Sequence, residues 1–169
     1  RGVAVEFRSK DDYSVWRKTW DGLICAGSLL PALLWGVAVT NLIRGVPIDA
    51  QMQYTGTFFD LLSPYTLVGG FAFVLVFIFH GALYLGLKTE KEIAARARQA
   101  ALRVGVATAL ACLGLVGLTY TNTDLFKTSG AGAALWLAVA AFLVSYLFLF
   151  RARIGWAFAA SSLSIVLIT

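Results

Sequence analysis

The sequence is poor in charged residues and in the side chains that bind metals. Only 14% of its 169 residues are Asp, Glu, Lys or Arg, whereas soluble domains carry about 25%. There are two cysteines, one histidine and one methionine. No P-loop, Rossmann glycine pattern, HExxH motif or Cys pair is present. We therefore expect this chain to hold no catalytic, cofactor-binding or metal site of its own.

The few candidate ligands are also badly placed for a shared site. Cys25 and Cys112 lie in separate apolar runs without CxxC spacing, so we interpret both as buried free thiols that fill space. A membrane haem usually needs two axial ligands, commonly His. His80 lies in an apolar run and Met52 in a polar stretch. The sequence therefore predicts no haem bound by this chain alone.

Long apolar runs are abundant. Hydrophobic residues make up 59% of the chain, and mean hydropathy is +0.78. Each long run can cross the roughly 30 Å of bilayer hydrocarbon as a helix, which satisfies its backbone internally. The sequence predicts an all-α fold, a polytopic transmembrane helix bundle forming one membrane domain over 1–169. Four runs span fully and the fifth is truncated, over about 20–43, 65–87, 101–120, 131–150 and 154–169.

The chain starts at Arg1 rather than Met, and the fifth run is shorter than the roughly 20 residues that span hydrocarbon. We therefore expect an internal fragment of a longer subunit.

Basic residues alternate along the connections between these runs. Twelve of the fourteen Lys and Arg fall in stretches 1–19, 88–103 and 151–154, while 44–64 and 121–130 hold one each. Cytoplasmic loops are enriched in Lys and Arg, so we predict that residues 1–19, 88–100 and 151–154 are cytoplasmic. The basic residues flank apolar runs, where they meet lipid headgroups. They form no stripe on a folded face, and nucleic-acid binding is not expected.

Three polar side chains inside the spans are candidates for function, because such residues are costly in hydrocarbon. Asp21 and His80 are predicted at similar depth near the inner side, where the carboxylate could raise the proton affinity of the imidazole. Alternatively, Asp21 caps its helix among the headgroups, and His80 is a hydrogen-bonded interior residue. Asn41, near the outer end of the first span, can bond across helices.

The segments around the spans carry weaker signals. Stretch 44–64 is too polar to span and is predicted to lie along the membrane surface. Stretch 88–103 is predicted to extend a helix. Frequent glycines predict closely packed helices or a partner subunit. Serines at Ser161, Ser162 and Ser164 are expected to bond back to their own helix.

Several short motifs follow one another in a fixed order and carry a family resemblance. They are Phe7-Arg8-Ser9-Lys10, Trp16-Arg17-Lys18-Thr19-Trp20-Asp21, Gly45-Val46-Pro47, Leu61-Leu62-Ser63-Pro64, His80-Gly81-Ala82 and Leu87-Lys88-Thr89. This series resembles subunit II of the cytochrome bd quinol oxidase, a bacterial terminal oxidase. The resemblance is good over 3–98 and looser from 102 onward, where Trp156-Ala157-Phe158 and Ser161-Ser162-Leu163 agree.

The resemblance implies a haem-free accessory subunit in the bacterial cytoplasmic membrane. In that family, subunit I carries haem b558, haem b595, haem d and the quinol site. Subunit II supports it and contributes to proton and oxygen access, while quinol is oxidised and dioxygen reduced to water. The implied partners are subunit I, membrane lipid, the quinol pool and possible small extra subunits.

Two other functions stay open at the level of sequence. The chain could be a membrane-embedded part of a transporter or channel, with Asp21, Asn41 and His80 along a path. Pro31 could break the first helix, as in many transporters, but no internal repeat accompanies it. The chain could also be a structural membrane anchor. Hydropathy does not separate these, and the resemblance favours the oxidase.

Overall fold

The computed structural model describes residues 2–123, 126 and 131–168, without the side chains of Lys91 and Ala131. The predicted outward stretch 121–130, with Lys127, lies largely outside the described residues. The described elements are helices, apart from an isolated bridge between Ile48 and Tyr54. They are α1 (Gly2–Arg8), α2 (Ser14–Arg44), a 3₁₀ helix (Phe58–Leu62), α3 (Pro64–Lys88), α4 (Lys91–Asn122), α5 (Ala131–Phe150) and α6 (Ile154–Ile168). The all-α prediction is confirmed.

Four helices are long and apolar enough to cross a membrane, namely α2, α3, α4 and α5. The fifth apolar helix, α6, has 15 residues and is shorter. Helices α3 and α5 begin and end within one residue of the predicted spans. The pattern of four spans and a shorter fifth is therefore confirmed.

Two spans extend well beyond their predicted starts. Helix α2 begins at Ser14 rather than at residue 20, and α4 begins at Lys91 rather than at residue 101. At 1.5 Å per residue their 31 and 32 residues reach about 46 to 48 Å, more than the roughly 30 Å of hydrocarbon. Each helix continues into the polar region because the helical backbone satisfies its own hydrogen bonds there too.

Helix α3 is the centre of the bundle and contacts α2, α4 and α6, while α5 contacts α4 and α6. Glycines bring α2 and α3 together. A Cβ on Gly36 would lie 2.7 Å from the Cβ of Phe73, and one on Gly69 would overlap Thr40. These positions require glycine for close backbone approach.

The largest buried cluster joins α3, α4, α5 and α6. The rings of Phe79 and Phe142 are 5.0 Å apart, and both side chains are almost fully buried with Leu83 and Leu149. Because lipid is as apolar as these side chains, close packing rather than removal from water stabilises them.

Buried hydroxyls connect neighbouring helices. Ser145 donates to the carbonyl of Ala157 at 2.6 Å, and Ser164 donates to the carbonyl of Ala138 at 2.7 Å, so both link α5 and α6. The prediction that Ser164 bonds within its own helix is therefore wrong, because α5 passes close enough to offer a carbonyl. Ser161 and Ser162 do bond within α6, to the carbonyl of Phe158.

Candidate functional site

Asp21 lies where α1 folds back onto the start of α2. Trp16 donates from Nε1 to the carbonyl of Phe7 at 2.9 Å, and the ring of Phe7 stacks on Trp20. These contacts bring the Arg8 guanidinium to Asp21, where Nε and Nη2 bond the two carboxylate oxygens. The bond and the charge of Asp21 raise the pKa of Arg8. Asp21 is thus neutralised by a cation at the helix surface.

The capping interpretation of Asp21 is wrong. Helix α2 begins at Ser14, so Asp21 lies about two turns inside it and cannot cap its first turn. The sequence suggested otherwise because hydropathy starts the span at Trp20, whereas the helix itself extends into the polar stretch.

His80 contacts α6, not Asp21. Its Nδ1 lies 2.8 Å from the hydroxyl oxygen of Ser161, and its ring stacks on Phe158 with centroids 4.5 Å apart. The predicted pairing of Asp21 with His80 is therefore wrong, because the Asp21 carboxylate is bound by Arg8 and Nδ1 of His80 lies against Ser161 on α6. His80 is the hydrogen-bonded interior histidine of the alternative interpretation.

The Ser161 hydroxyl bears on the tautomer of His80. Ser161 also lies 2.8 Å from the carbonyl of Phe158, which can only accept a hydrogen bond. When the single hydroxyl hydrogen goes to that carbonyl, Nδ1 of His80 must be the protonated nitrogen. Nε2 is then the nitrogen that can accept or exchange a proton.

Asn41 ties the end of α2 to the 3₁₀ helix. The side chain is buried, and its Nδ2 donates to the carbonyl of Val37 at 2.9 Å and to that of Leu61 at 2.8 Å. The carbonyl of Leu61 also accepts from the Thr66 hydroxyl at 2.8 Å. One carbonyl therefore joins α2, the 3₁₀ helix and α3.

Asp60 is a polar residue of the same region that the sequence interpretation missed. Its Oδ2 accepts from the backbone nitrogen of Thr57 at 2.6 Å and from the Thr57 hydroxyl at 2.8 Å, forming a capping box. These bonds, with the charge of Arg44, lower the pKa of Asp60. The Thr-x-x-Asp spacing was the available signal.

Arg98 was also missed. Its Nη2 lies 3.5 Å from the carbonyl of Leu149 in the last turn of α5, where a cation complements the helix dipole. Its Nε is buried and has no hydrogen-bond partner among the described residues. The sequence offered no signal, because Arg98 is one of several basic residues at the start of α4.

These residues do not fit a haem with two axial ligands. His80 is the single histidine, and Met52 is 88% exposed in the segment between α2 and α3. Over residues 2–123, 126 and 131–168, no group of three or more His, Cys, Asp or Glu could hold a metal ion. Cys112 is buried as predicted, whereas Cys25 is exposed on α2, so its predicted burial is wrong.

Fold and site together define a multi-pass α-helical membrane protein whose intramembrane polar groups join helices. The family model for cytochrome bd terminal oxidase subunit II matches residues 1–169. The chain belongs to that family, which confirms the resemblance seen in its motifs.

Named relatives agree with the family assignment. The chain is 34% identical over 160 residues to the cytochrome bd ubiquinol oxidase subunit 2 of Bacillus subtilis, covering 94% of this chain and 47% of that protein. It is 37% identical to a probable cytochrome oxidase subunit 2 of Haemophilus influenzae, covering 73% of this chain and 34% of that protein. It is 39% identical to the cytochrome bd-I ubiquinol oxidase subunit 2 of Escherichia coli K12, covering 70% of this chain and 32% of that protein. The chain thus spans between 32% and 47% of the length of these relatives.

Proposed function

We propose that this chain forms part of the haem-free accessory subunit of a cytochrome bd-type quinol:oxygen oxidoreductase. Subunit I is the partner and carries haem b558, haem b595 and haem d. The complex oxidises quinol to quinone and reduces dioxygen to water. The observation that carries this proposal is the match of the subunit II family to all 169 residues.

The exterior of the bundle supports a role as a membrane-embedded subunit. One side of α2 packs on α3, but Leu30, Leu34 and Trp35 on α2 remain more than half exposed. A Cβ on Gly22 or Gly27 of the same helix would meet nothing within 4 Å. Small residues on an apolar helix allow close contact with another helix. The exposed side of α2, away from α3, therefore suits contact with subunit I or lipid.

The orientation follows from the basic residues. Residues 1–19, 88–100 and 151–154 face the cytoplasm in this proposal, because Lys and Arg concentrate there. The starts of α2, α4 and α6 and the ends of α3 and α5 then lie on the inner side. The segment between α2 and α3, with Asn41 and Asp60, lies on the outer side.

Within the complex, His80 is the residue we assign to proton access. It lies eight positions before the end of α3, about 12 Å from its inner end. Ser161 and Phe158 hold its ring, and Nε2 is available in the tautomer described above. Asp21 and Asn41 hold helix ends in place instead. The redox chemistry takes place on the partner subunit.

Co-purification tests the oxidase assignment. The full-length subunit is tagged and purified from its native membrane, and a reduced-minus-oxidised spectrum and quinol-dependent oxygen uptake are recorded. We expect haem b and haem d bands and oxygen uptake. A purified protein without haem that moves solute in liposomes would establish the transporter or channel instead. If the purified protein has no haem, takes up no oxygen and transports no solute, the function as a structural membrane anchor would remain.

The role of His80 needs a separate test. His80→Gln keeps a hydrogen-bonding side chain but removes the proton exchange, so oxidase rate against pH is compared for the two complexes. We expect a changed pH profile at unchanged haem content. Ser162→Ala is the matched control, because Ser162 bonds only within α6 among the described residues. An unchanged profile for His80→Gln would exclude a proton role.

A further inference from the structure

The end of the bundle opposite the basic stretches contains two adjoining cavities. The first, of about 540 Å³, is lined by polar groups from the end of α2 and the segment after it, among them Asn41, Arg44 and Asp60. The second, of about 460 Å³, is largely apolar and lies against Tyr65, Val68 and Leu118. Arg44 and Asn122 line both, so polar and apolar spaces meet at these two side chains.

Arg44 supplies a positive charge at this junction, where the two cavities meet. It is the last residue of α2, and Gly45 turns the chain away with φ of 86°. Among the described residues, its guanidinium enters none of the ion pairs or side-chain hydrogen bonds. A guanidinium presents five N–H donors in a fixed fork that suits a phosphate group.

Asp60 supplies an opposite charge in the same cavity. Both of its bonds to Thr57 use Oδ2, which leaves Oδ1 as an acceptor for a ligand. Arg44 and Asp60 form no ion pair with each other, although the charge of Arg44 contributes to the low pKa of Asp60. The cavity is therefore lined by one cationic and one anionic side chain that lie near each other without forming an ion pair.

The apolar cavity runs from this junction toward the bilayer interior. Val68 lies four positions after Pro64 at the start of α3, and Leu118 lies four positions before Asn122 at the end of α4. Both are therefore about 6 Å below the helix ends. A hydrocarbon chain entering from Arg44 would follow these two side chains into the membrane.

We propose that this pair of cavities binds one phospholipid with a zwitterionic, primary-ammonium headgroup, that is, a phosphatidylethanolamine. Its phosphate is bound by Arg44, its ammonium donates to Asp60 Oδ1, and one acyl chain lies against Val68 and Leu118. Phosphatidylglycerol has an uncharged glycerol in place of the ammonium, so no cation would face Asp60. Phosphatidylcholine has no N–H to donate. This site does not depend on the oxidase assignment.

Lipid binding by the purified full-length complex tests this proposal. Delipidated complex in detergent is titrated with phosphatidylethanolamine, phosphatidylglycerol or phosphatidylcholine, and bound lipid is counted by native mass spectrometry. A charge-assisted hydrogen bond changes affinity roughly tenfold or more. We expect phosphatidylethanolamine to bind about tenfold tighter than the other two. Equal affinity for all three lipids would overturn the proposal.

Two variants separate the headgroup contacts. Arg44→Gln should weaken binding of all three lipids roughly tenfold, because it removes the phosphate partner. Asp60→Asn keeps an oxygen for Thr57 but should abolish the preference for phosphatidylethanolamine over phosphatidylcholine. Arg96→Gln is the matched control, since Arg96 lies near the start of α4 and is 79% exposed. Binding by either test variant that equals wild type would contradict its assigned contact.

A third variant tests the acyl chain without altering charge. Leu118→Trp places a larger apolar side chain in the second cavity and leaves Arg44 and Asp60 unchanged. We expect phosphatidylethanolamine to be lost, while thermal unfolding shows a folded complex. Full retention of the lipid by Leu118→Trp would show that the apolar cavity is not occupied.

Discussion

Nδ1 of His80 lies 2.8 Å from the hydroxyl oxygen of Ser161, across the contact between α3 and α6. The two residues are 81 positions apart in sequence. Ser161 also bonds the carbonyl of Phe158, whose ring stacks on the imidazole. One short stretch of α6 thus holds the ring of the single histidine in position.

The bond between His80 and Ser161 should couple the two helices energetically. In a double-mutant cycle with His80→Ala and Ser161→Ala, each of which removes the bond, we expect a coupling of about 0.6 kcal/mol, with about 1.7 kcal/mol as an upper value for such bonds in membranes. Unfolding of the purified complex in mixed detergent measures it. The control is the same cycle with Ser162→Ala in place of Ser161→Ala. Equal coupling of His80 to both serines would contradict the contact between His80 and Ser161.

Gly69 should tolerate no side chain, because a Cβ there would overlap Thr40 on α2. We expect Gly69→Ala to lower the free energy of unfolding by about 1 to 3 kcal/mol through overpacking. In Gly114→Ala the new Cβ would meet nothing within 4 Å, so that variant should be neutral or stabilise helix α4 by up to about 1 kcal/mol. Thermal unfolding in detergent compares the two variants. Equal losses would show that α2 and α3 do not approach closely at Gly69.

Asn41 should contribute more to stability than Asn122. Asn41→Ala removes the donor to Leu61 from a buried site, and we expect a loss of about 1 to 3 kcal/mol. Asn122 bonds to Leu118 and Thr121 on its own exposed helix surface, so Asn122→Ala should cost less than about 0.5 kcal/mol. Limited proteolysis between α2 and α3 gives a second measurement. Cleavage there at the wild-type rate in Asn41→Ala would contradict the link.

Asp60 should make the segment between α2 and α3 sensitive to acid. Its pKa is lowered by the bonds from Thr57 and the charge of Arg44. A depressed carboxyl pKa stabilises the fold above the unfolded value of about 3.9, and this stabilisation is lost as pH falls through the lower folded value. Proteolysis of the segment should therefore increase below about pH 4.

Asp60→Asn should remove this acid dependence, because asparagine does not titrate in that range. Asp49→Asn in the same segment is the control for general effects of acid, since Asp49 also accepts local backbone bonds. If Asp60→Asn retained the full acid dependence of the wild type, the capping box would not be its cause.

Hydropathy and charge predicted the elements of this fold well. The bounds of α3 and α5 follow from the lengths of their apolar runs. The shorter length of α6 follows from its shorter apolar run. The start of α2 was missed because hydropathy reports where hydrocarbon begins, whereas the helix continues through Arg17 and Lys18.

Contacts between elements were harder to predict. Whether Asp21 meets Arg8 or His80, and whether Ser164 bonds within α6 or to α5, depends on the rotation of each helix about its axis. The chain is apolar around most of each span, so periodicity does not fix that rotation. The pairing of Asp21 with His80 was argued from depth alone and failed for this reason.

The most direct test of the account is the side of the membrane that each connection faces. Single cysteines are introduced as Lys10→Cys and Met52→Cys in the full-length subunit, with Cys25, Cys112 and any further cysteines replaced by alanine. Both test positions are exposed. A membrane-impermeant maleimide should label Met52→Cys in intact spheroplasts and Lys10→Cys only after permeabilisation. Labelling of Lys10→Cys in intact spheroplasts, with Met52→Cys protected, would contradict the proposed orientation.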